Sequence, residues 1–271
     1  MLASVLVAGL LAAGAGCSSG DDGATTTVRD AASTPATTAT ARPLRVLVTN
    51  DDGVGAPGID ALVTALRAVP DTEVVVVAPL RNQSGTGGRT TPGGAPASPA
   101  TTASGVSATA VDGFPADAVT WALGGGVPQR PDVVLSGVNA GQNLGQLTAI
   151  SGTVGAAKAA GAAGIPALAV SQGLGEPPDF ASGAKLAVNW LQENRAQLLK
   201  GAAPTPAAVE SLNVPTCSAG TVRGVVDVPL DLTSQVTLSG PVDCAVTTPN
   251  PGNDVGAFAA GFAPLSPVTV G

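Results

Sequence analysis

The chain has 271 residues, 44% hydrophobic but only 2% aromatic, with no Tyr and no His, and a formal net charge of −7. Length and apolar content suit one large domain whose core is Val, Leu, Ala and Ile. The acidic balance excludes a nucleic-acid polymer as main partner, which needs a Lys/Arg surface. The absence of His excludes a Ser-His-Asp triad, a His-bound zinc and a His general base.

The chain opens with a short apolar run, Leu2 to Leu11, followed by Ala12-Ala13-Gly14-Ala15-Gly16-Cys17. The run is too short for an ordinary membrane-spanning helix and reads as the hydrophobic region of a signal peptide. Cys17 sits where a bacterial lipoprotein signal places its lipidated cysteine. Gly14 replaces the usual Leu and no Lys or Arg precedes the run, so a plain secretory signal and a cytosolic chain with an apolar start are the other readings. Residues 18–43 are rich in Ser, Thr, Ala and Gly and read as a disordered tether. The expected organisation is a signal peptide with lipobox over 1–17, the tether over 18–43, a catalytic core over 44–200 and a C-terminal arm over 201–271. The expected location is exported, either lipid-anchored on the extracytoplasmic face of the membrane or secreted, with no other membrane contact.

From Leu44 the pattern alternates between strand and helix. Strands are expected over Leu44–Thr49, Thr72–Ala78, Asp132–Leu135 and Ala167–Ser171, as apolar runs covered on both faces. Helices are expected over Pro57–Val69, Pro115–Leu123, Val154–Ala163 and within Asp179–Leu199. Thr101–Val111 reads as an antiparallel excursion. Loops rich in Gly, Ser and Asn are expected over Arg81–Pro99 and Ser136–Thr153. The predicted fold class is α/β, a Rossmann-like doubly wound and mostly parallel sheet. Beyond Gly201, Leu212-Asn213-Val214 is short and extended, and Thr221–Val228 with Gln235–Leu238 alternates like a β-hairpin. That part reads as an arm whose strand edges pair with something, often a second copy.

The three cysteines fit export. If Cys17 carries lipid, Cys217 and Cys244 remain as a pair. A disulfide there would contribute roughly 3 kcal/mol by the chain-entropy estimate and would persist only in an oxidising compartment. Two separate buried thiols are the other reading.

The functional signal lies where strands end. Asn50-Asp51-Asp52-Gly53 follows the first strand, and in open α/β sheets the ligand crevice lies just outside such ends. Adjacent carboxylates repel unless a cation sits between them, and oxygen ligands favour Mg, Mn or Ca. The same residues also make a turn. Arg81-Asn82-Gln83-Ser84-Gly85 follows the second strand. Ser136 to Gly145 follows the third and leads to Ser151-Gly152-Thr153 at a helix start, whose free N–H groups suit a phosphate. GxxxxGK[ST] does not occur, which argues against a P-loop.

These segments resemble the SurE family of metal-dependent nucleotidases (survival protein E). The similarity is carried by Asn50 to Ile59, Ala78 to Gly85, Gly113 to Val119, Pro131 to Gly145 and Ser151 to Val154, in order and at family spacing. It thins after Ser171, where Leu212-Asn213-Val214-Pro215 and Asn253-Asp254 through Gly261 look like degraded motifs. The resemblance implies a divalent-metal phosphatase, with Mg or Mn, acting on nucleoside 5′- or 3′-monophosphates. It implies metal ligands at Asp51, Asp52, Ser84 and Asn139, and phosphate contacts at Asn143, Ser151, Gly152 and Thr153. Asp51, Asn143 and Ser151 become the candidate catalytic residues, Asp51 either orienting and deprotonating water or serving as a ligand alone. It also implies a homodimer or higher homo-oligomer with an exchanged arm. Two departures stand out. Gln146-Leu147-Thr148-Ala149-Ile150 replaces a segment that often carries acids and a tyrosine, and a histidine that some members use near the arm is absent. A non-catalytic nucleotide- or phosphate-binding lipoprotein of the same fold is the alternative. With few aromatics for stacking, the sequence predicts loose base selectivity.

Overall fold

The computed structural model describes residues 42–201, 206–236, 240–249 and 252–271. The signal peptide, Cys17 and all but the last two residues of the tether lie outside the described residues. The first strands are β1 (Leu44–Thr49), β2 (Thr72–Pro79), β3 (Ala97–Thr101), β4 (Ser107–Val111), β5 (Val133–Ala140) and β6 (Ala167–Gln172). Then come β7 (Val209–Val214), β8 (Cys217–Ala219), β9 (Val225–Asp227), β10 (Val242–Asp243) and β11 (Ala263–Pro267). The helices are α1 (Pro57–Arg67), α2 (Pro115–Trp121), α3 (Gly152–Ala162), α4 (Phe180–Leu198) and α5 (Asp254–Ala259).

Nine strands form one sheet in the order β3-β4-β2-β1-β5-β6-β7-β11-β9. Pairing is parallel except for β3 with β4 and β11 with β7. The fold is thus α/β, doubly wound and mostly parallel. Alternation along β1 explains the two-sided core. Val46 and Val48 pack with Ile59, Leu62 and Leu66 of α1 and Leu191 of α4. Leu47 faces the other way, among Val119 of α2 and Val154 and Ala157 of α3. Truncating a fully buried side chain such as Leu62 to Ala would cost roughly 2–5 kcal/mol.

The small residues of α3 have a steric reason. A Cβ on Gly155 would sit 2.1 Å from the Gly87 carbonyl oxygen, so the loop after β2 can lie directly on this helix only because no side chain intervenes.

Three expectations need correction. The third core strand does not stop at Leu135. β5 continues to Ala140, rejoining β6 at Asn139↔Ser171 after an irregularity beyond Ser136. The antiparallel excursion begins at Ala97, earlier than Thr101, because β3 pairs with β4 along five residues. The sheet also does not end at 200, since β7, β9 and β11 belong to it. The arm expected over 201–271 therefore narrows to what stands outside the sheet, including the two-stranded ribbon of β8 and β10. There Cys217 and Cys244 form a disulfide, with Cα atoms 5.5 Å apart. Residues 237 and 238 of the expected hairpin lie outside the described residues, while Gln235 and Val236 are described but are not strand.

Candidate active site

Strand order places the site. From β1 the chain leaves through α1 toward β2; from β5 it leaves through α3 toward β6, on the opposite face. Connections diverging from adjacent strands open a crevice between their carboxyl ends. β1 delivers Asp51 and Asp52 to this point, and β5 delivers Asn139 and Ala140.

The turn after β1 is held by Asn50, whose Nδ2 donates to the Gly53 carbonyl at 2.9 Å and whose Oδ1 accepts from the Gly53 N–H at 3.3 Å. This aims Asp51 inward and Asp52 along the rim. Asp51 is only 2% exposed. Its Oδ1 accepts from the Thr153 hydroxyl at 2.6 Å. A Cβ on Gly152 would meet Asp51 Oδ2 at 2.9 Å, so the carboxylate lies against the first turn of α3 and glycine leaves it room. Asp52 Oδ2 accepts from the Ala140 N–H at 3.1 Å, and its Oδ1 from Asn82 Nδ2 at 3.2 Å.

Burial pushes Asp51 up to about 6, against the pull of the Thr153 hydroxyl and with the Asp52 charge adding to the rise. Burial also raises Asp52, opposed by Ala140 and Asn82. The described ion pairs are Arg42–Asp132, Arg45–Glu73 and Arg81–Asp112. None brings a cation to Asp51 or Asp52. Two adjacent, partly desolvated carboxylates without a basic partner fit a bound divalent cation, which would restore the charge balance.

The rest of the donor set consists of neutral oxygens. Among the described residues no three His, Cys, Asp or Glu side chains gather as a metal site. Asn139 is 7% exposed, and its Nδ2 donates to the Gly141 carbonyl at 2.7 Å, which fixes the end of the amide that carries oxygen. Ser84 is exposed on the loop after β2, and its N–H donates to Asn82 Oδ1 at 2.9 Å. Asn82 therefore joins Ser84 to Asp52.

Of the phosphate candidates, Gly152 and Thr153 lie against Asp51. Ser151 is the N-cap of α3, its Oγ accepting from the Val154 N–H at 3.2 Å; accepting there leaves its proton to donate. Asn143 is held by residues of β6 and β7. Its Nδ2 donates to Ser171 Oγ at 2.9 Å and its N–H to Asn213 Oδ1 at 2.7 Å. The amide nitrogen keeps a second hydrogen.

Several residues that hold this arrangement are not among the predicted site residues. Asn82 and Asn213 lie inside segments that resemble family motifs and Ser171 inside a strand, but nothing in the sequence assigns any of them a role. Asp254 is fully buried and accepts from the N–H groups of Gly145 (2.6 Å) and Asp231 (2.7 Å). It ties the loop after β5 to the C-terminal segment. In the sequence Asn253-Asp254 opens a segment that looks like a degraded motif, and in the structure Asn253 Oδ1 caps α5, accepting from the Gly256 N–H.

The family model described as "Survival protein SurE" matches residues 46–239. The "5'-nucleotidase SurE" of Pelobacter propionicus is 40% identical over 181 residues, covering 66% of this chain and 69% of that protein. The "5'/3'-nucleotidase SurE" of Edwardsiella ictaluri is 45% identical over 128 residues, covering 47% of this chain and 49% of that protein. Among solved structures, the SurE protein from Aquifex aeolicus superposes with a TM-score of 0.66 at 28% identity, covering 84% of this chain and 94% of that one.

Proposed function

This chain belongs to the SurE family of nucleotidases, and we propose that it is a divalent-metal phosphatase that hydrolyses nucleoside 5′- or 3′-monophosphates. One observation carries the reading. Asp51 and Asp52 lie at the switch point of the sheet, raised by burial and without a basic partner, against the amino end of a helix.

Asp51, Asp52, Asn139 and Ser84 would hold Mg or Mn. When bound, the metal supplies charge neutralisation at the phosphoryl oxygens and a more acidic water. The chain does the rest. The first N–H groups of α3, at Gly152 and Thr153, face an anion with the positive end of the helix dipole behind them. Ser151 has a hydroxyl proton to donate to a phosphate oxygen, and Asn143 an amide hydrogen. Asp51 would orient the attacking water or take its proton, or serve as a ligand alone. The Thr153 hydroxyl orients that carboxylate. Much of the rate then comes from positioning and from fixed dipoles. A binding protein would have no need of an acid pair kept unpaired in this way.

We further infer that the protein is exported and lipid-anchored through Cys17. The apolar run before Cys17 and the Cys217–Cys244 disulfide support this, since such bonds persist in oxidising compartments. A second copy as partner is part of the same proposal.

The test is phosphate release from 5′-AMP and 3′-AMP by the full chain with Mg, with Mn and with EDTA. Metal-dependent release abolished by EDTA is the expected result. Folded, metal-binding protein that releases nothing would move the reading to a nucleotide-binding protein. Incorporation of labelled palmitate that is lost in Cys17→Ser tests the anchor.

A further inference from the structure

Two clefts at the carboxyl rim meet at one aromatic ring. The first, about 480 Å³, is bounded by Asp52, Asn82, Leu80, Ala140 and Phe180. The second, about 570 Å³, is bounded by Ala140, Leu174, Pro178 and Phe180. Both volumes lie in the range of small-ligand sites. Ala140 and Phe180 belong to both, and the Ala140 N–H is bonded to Asp52. The clefts therefore open onto Asp52.

Phe180 is the first residue of α4. It is half-buried and packs on the α1/α4 side of the core, which holds its ring in place. On either side Leu80 is 40% and Leu174 is 38% exposed. Only five large hydrophobics stand so far out among the described residues, and two of them flank this ring. Exposed apolar surface beside a charged centre marks a binding groove.

We propose that Phe180, flanked by Leu80 and Leu174, receives the nucleobase of the substrate. The inference rests on the nucleotidase reading of the site. With the phosphate at the amino end of α3, on the α2/α3 face, the rest of the substrate crosses Asp52 toward the α1/α4 face. The Phe180 ring, with Leu80 in one cleft and Leu174 in the other, lies there. A base has an apolar π-face that stacks on an aromatic ring, and every base has one, so stacking alone recognises bases without choosing among them. Aromatics are scarce in this chain, yet this one lines the same cleft as Asp52.

The experiment compares kcat/KM for AMP, CMP and UMP with that for ribose 5-phosphate, which carries the phosphate and sugar but no base. Wild type should prefer AMP to ribose 5-phosphate by about tenfold or more and vary less among the bases. Phe180→Ala should raise KM for AMP about tenfold, with kcat and the ribose 5-phosphate kinetics little changed. Phe180→Leu, which keeps the packing bulk, should fall between. Equal wild-type kcat/KM for AMP and ribose 5-phosphate would overturn the proposal, as would variants that lose both substrates in parallel. If no compound releases phosphate, the nucleotidase reading falls. The same comparison, made by equilibrium binding of AMP and ribose 5-phosphate, then still decides the Phe180 surface.

Discussion

At the amino end of the sheet Asp132 accepts two hydrogen bonds from the Arg42 guanidinium, at 2.6 and 2.8 Å, and one from the Arg45 N–H at 2.9 Å. At the carboxyl end Asp51 and Asp52 face hydroxyl, amide and backbone groups only. Both sites are partly desolvated. Arg42, followed by Arg45, holds Asp132 below the usual carboxylate range despite burial, while burial holds Asp51 and Asp52 above it. An acid that serves the fold is paired within the chain. An acid left unpaired costs stability and awaits a charge from outside. Cavity size does not make this distinction. A cavity of about 560 Å³ opens at the amino end beside Arg45, Asp132, Trp190 and Glu210. There Trp190 Nε1 already donates to Glu210 at 2.8 Å, and Asp132 already has its arginine.

The sharpest test exchanges the same substitution between the two ends. Asp52→Asn should lower phosphatase kcat/KM by about a hundredfold or more through loss of the metal. It should leave the melting temperature of metal-free protein unchanged or raised, because it removes a like charge beside Asp51. Asp132→Asn should do the reverse, costing about 1 kcal/mol of stability in a denaturant titration with kcat/KM intact. If Asp52→Asn destabilised the metal-free protein as much as Asp132→Asn does, the carboxyl-end acids would be structural and the contrast would collapse.

Acid separates the two ends next. Asp51 has a folded pKa of about 6, above its unfolded value of about 4. The folded metal-free chain thus holds this proton more tightly than the unfolded one. The stability it contributes is fully present below pH ~4 and is lost as pH rises through about 6. A cation must displace that proton. Affinity for Mn should fall about tenfold per pH unit below pH 6 and level off above it. Calorimetry in two buffers at pH 5 should find about one proton released per Mn bound, and at pH 7.5 none. Affinity that stays flat from pH 5 to 7.5 would show that Asp51 is not displaced.

The same division governs how much was legible in the sequence. β1, α1 and β2 announced themselves because two-sided burial demands continuous apolar runs and one-sided helices show their period. The end of β5 did not. Ser136 and Asn139 are polar, and both are buried, because this strand carries site residues where a core strand would carry Val. β7 was glimpsed only at Leu212–Val214, since Glu210, Ser211 and Asn213 interrupt its apolar pattern. β11 was missed, because Pro264 and Pro267 argue against a strand; its ladders match only three residues on each side. Asp51 and Asp52 were legible as a strand-end pair. Their supporters were not, because Asn82 acts from 30 residues away, and Asn213 acts on Asn143 from 70.

The smallest effect is the removal of Arg42 itself. Its side chain is 41% exposed whereas that of Asp132 is 8% exposed. Such a pair is screened by water and worth at most about 1 kcal/mol. Arg42→Ala should therefore cost less than Asp132→Asn, since Asp132 keeps the Arg45 N–H when Arg42 is gone. The loss should shrink toward zero in 1 M salt, where the Debye length is about 3 Å. Its pH dependence runs opposite to that of Asp51. Because Arg42 depresses the folded pKa of Asp132, its contribution is present above pH ~4 and disappears as pH falls through the depressed value. Denaturant midpoints of wild type and Arg42→Ala that differ at pH 7 and merge at pH 2–3 would place this pair among the fold's own charges. A difference that persisted in strong acid would mean that Arg42 acts through packing of its aliphatic stem rather than through charge.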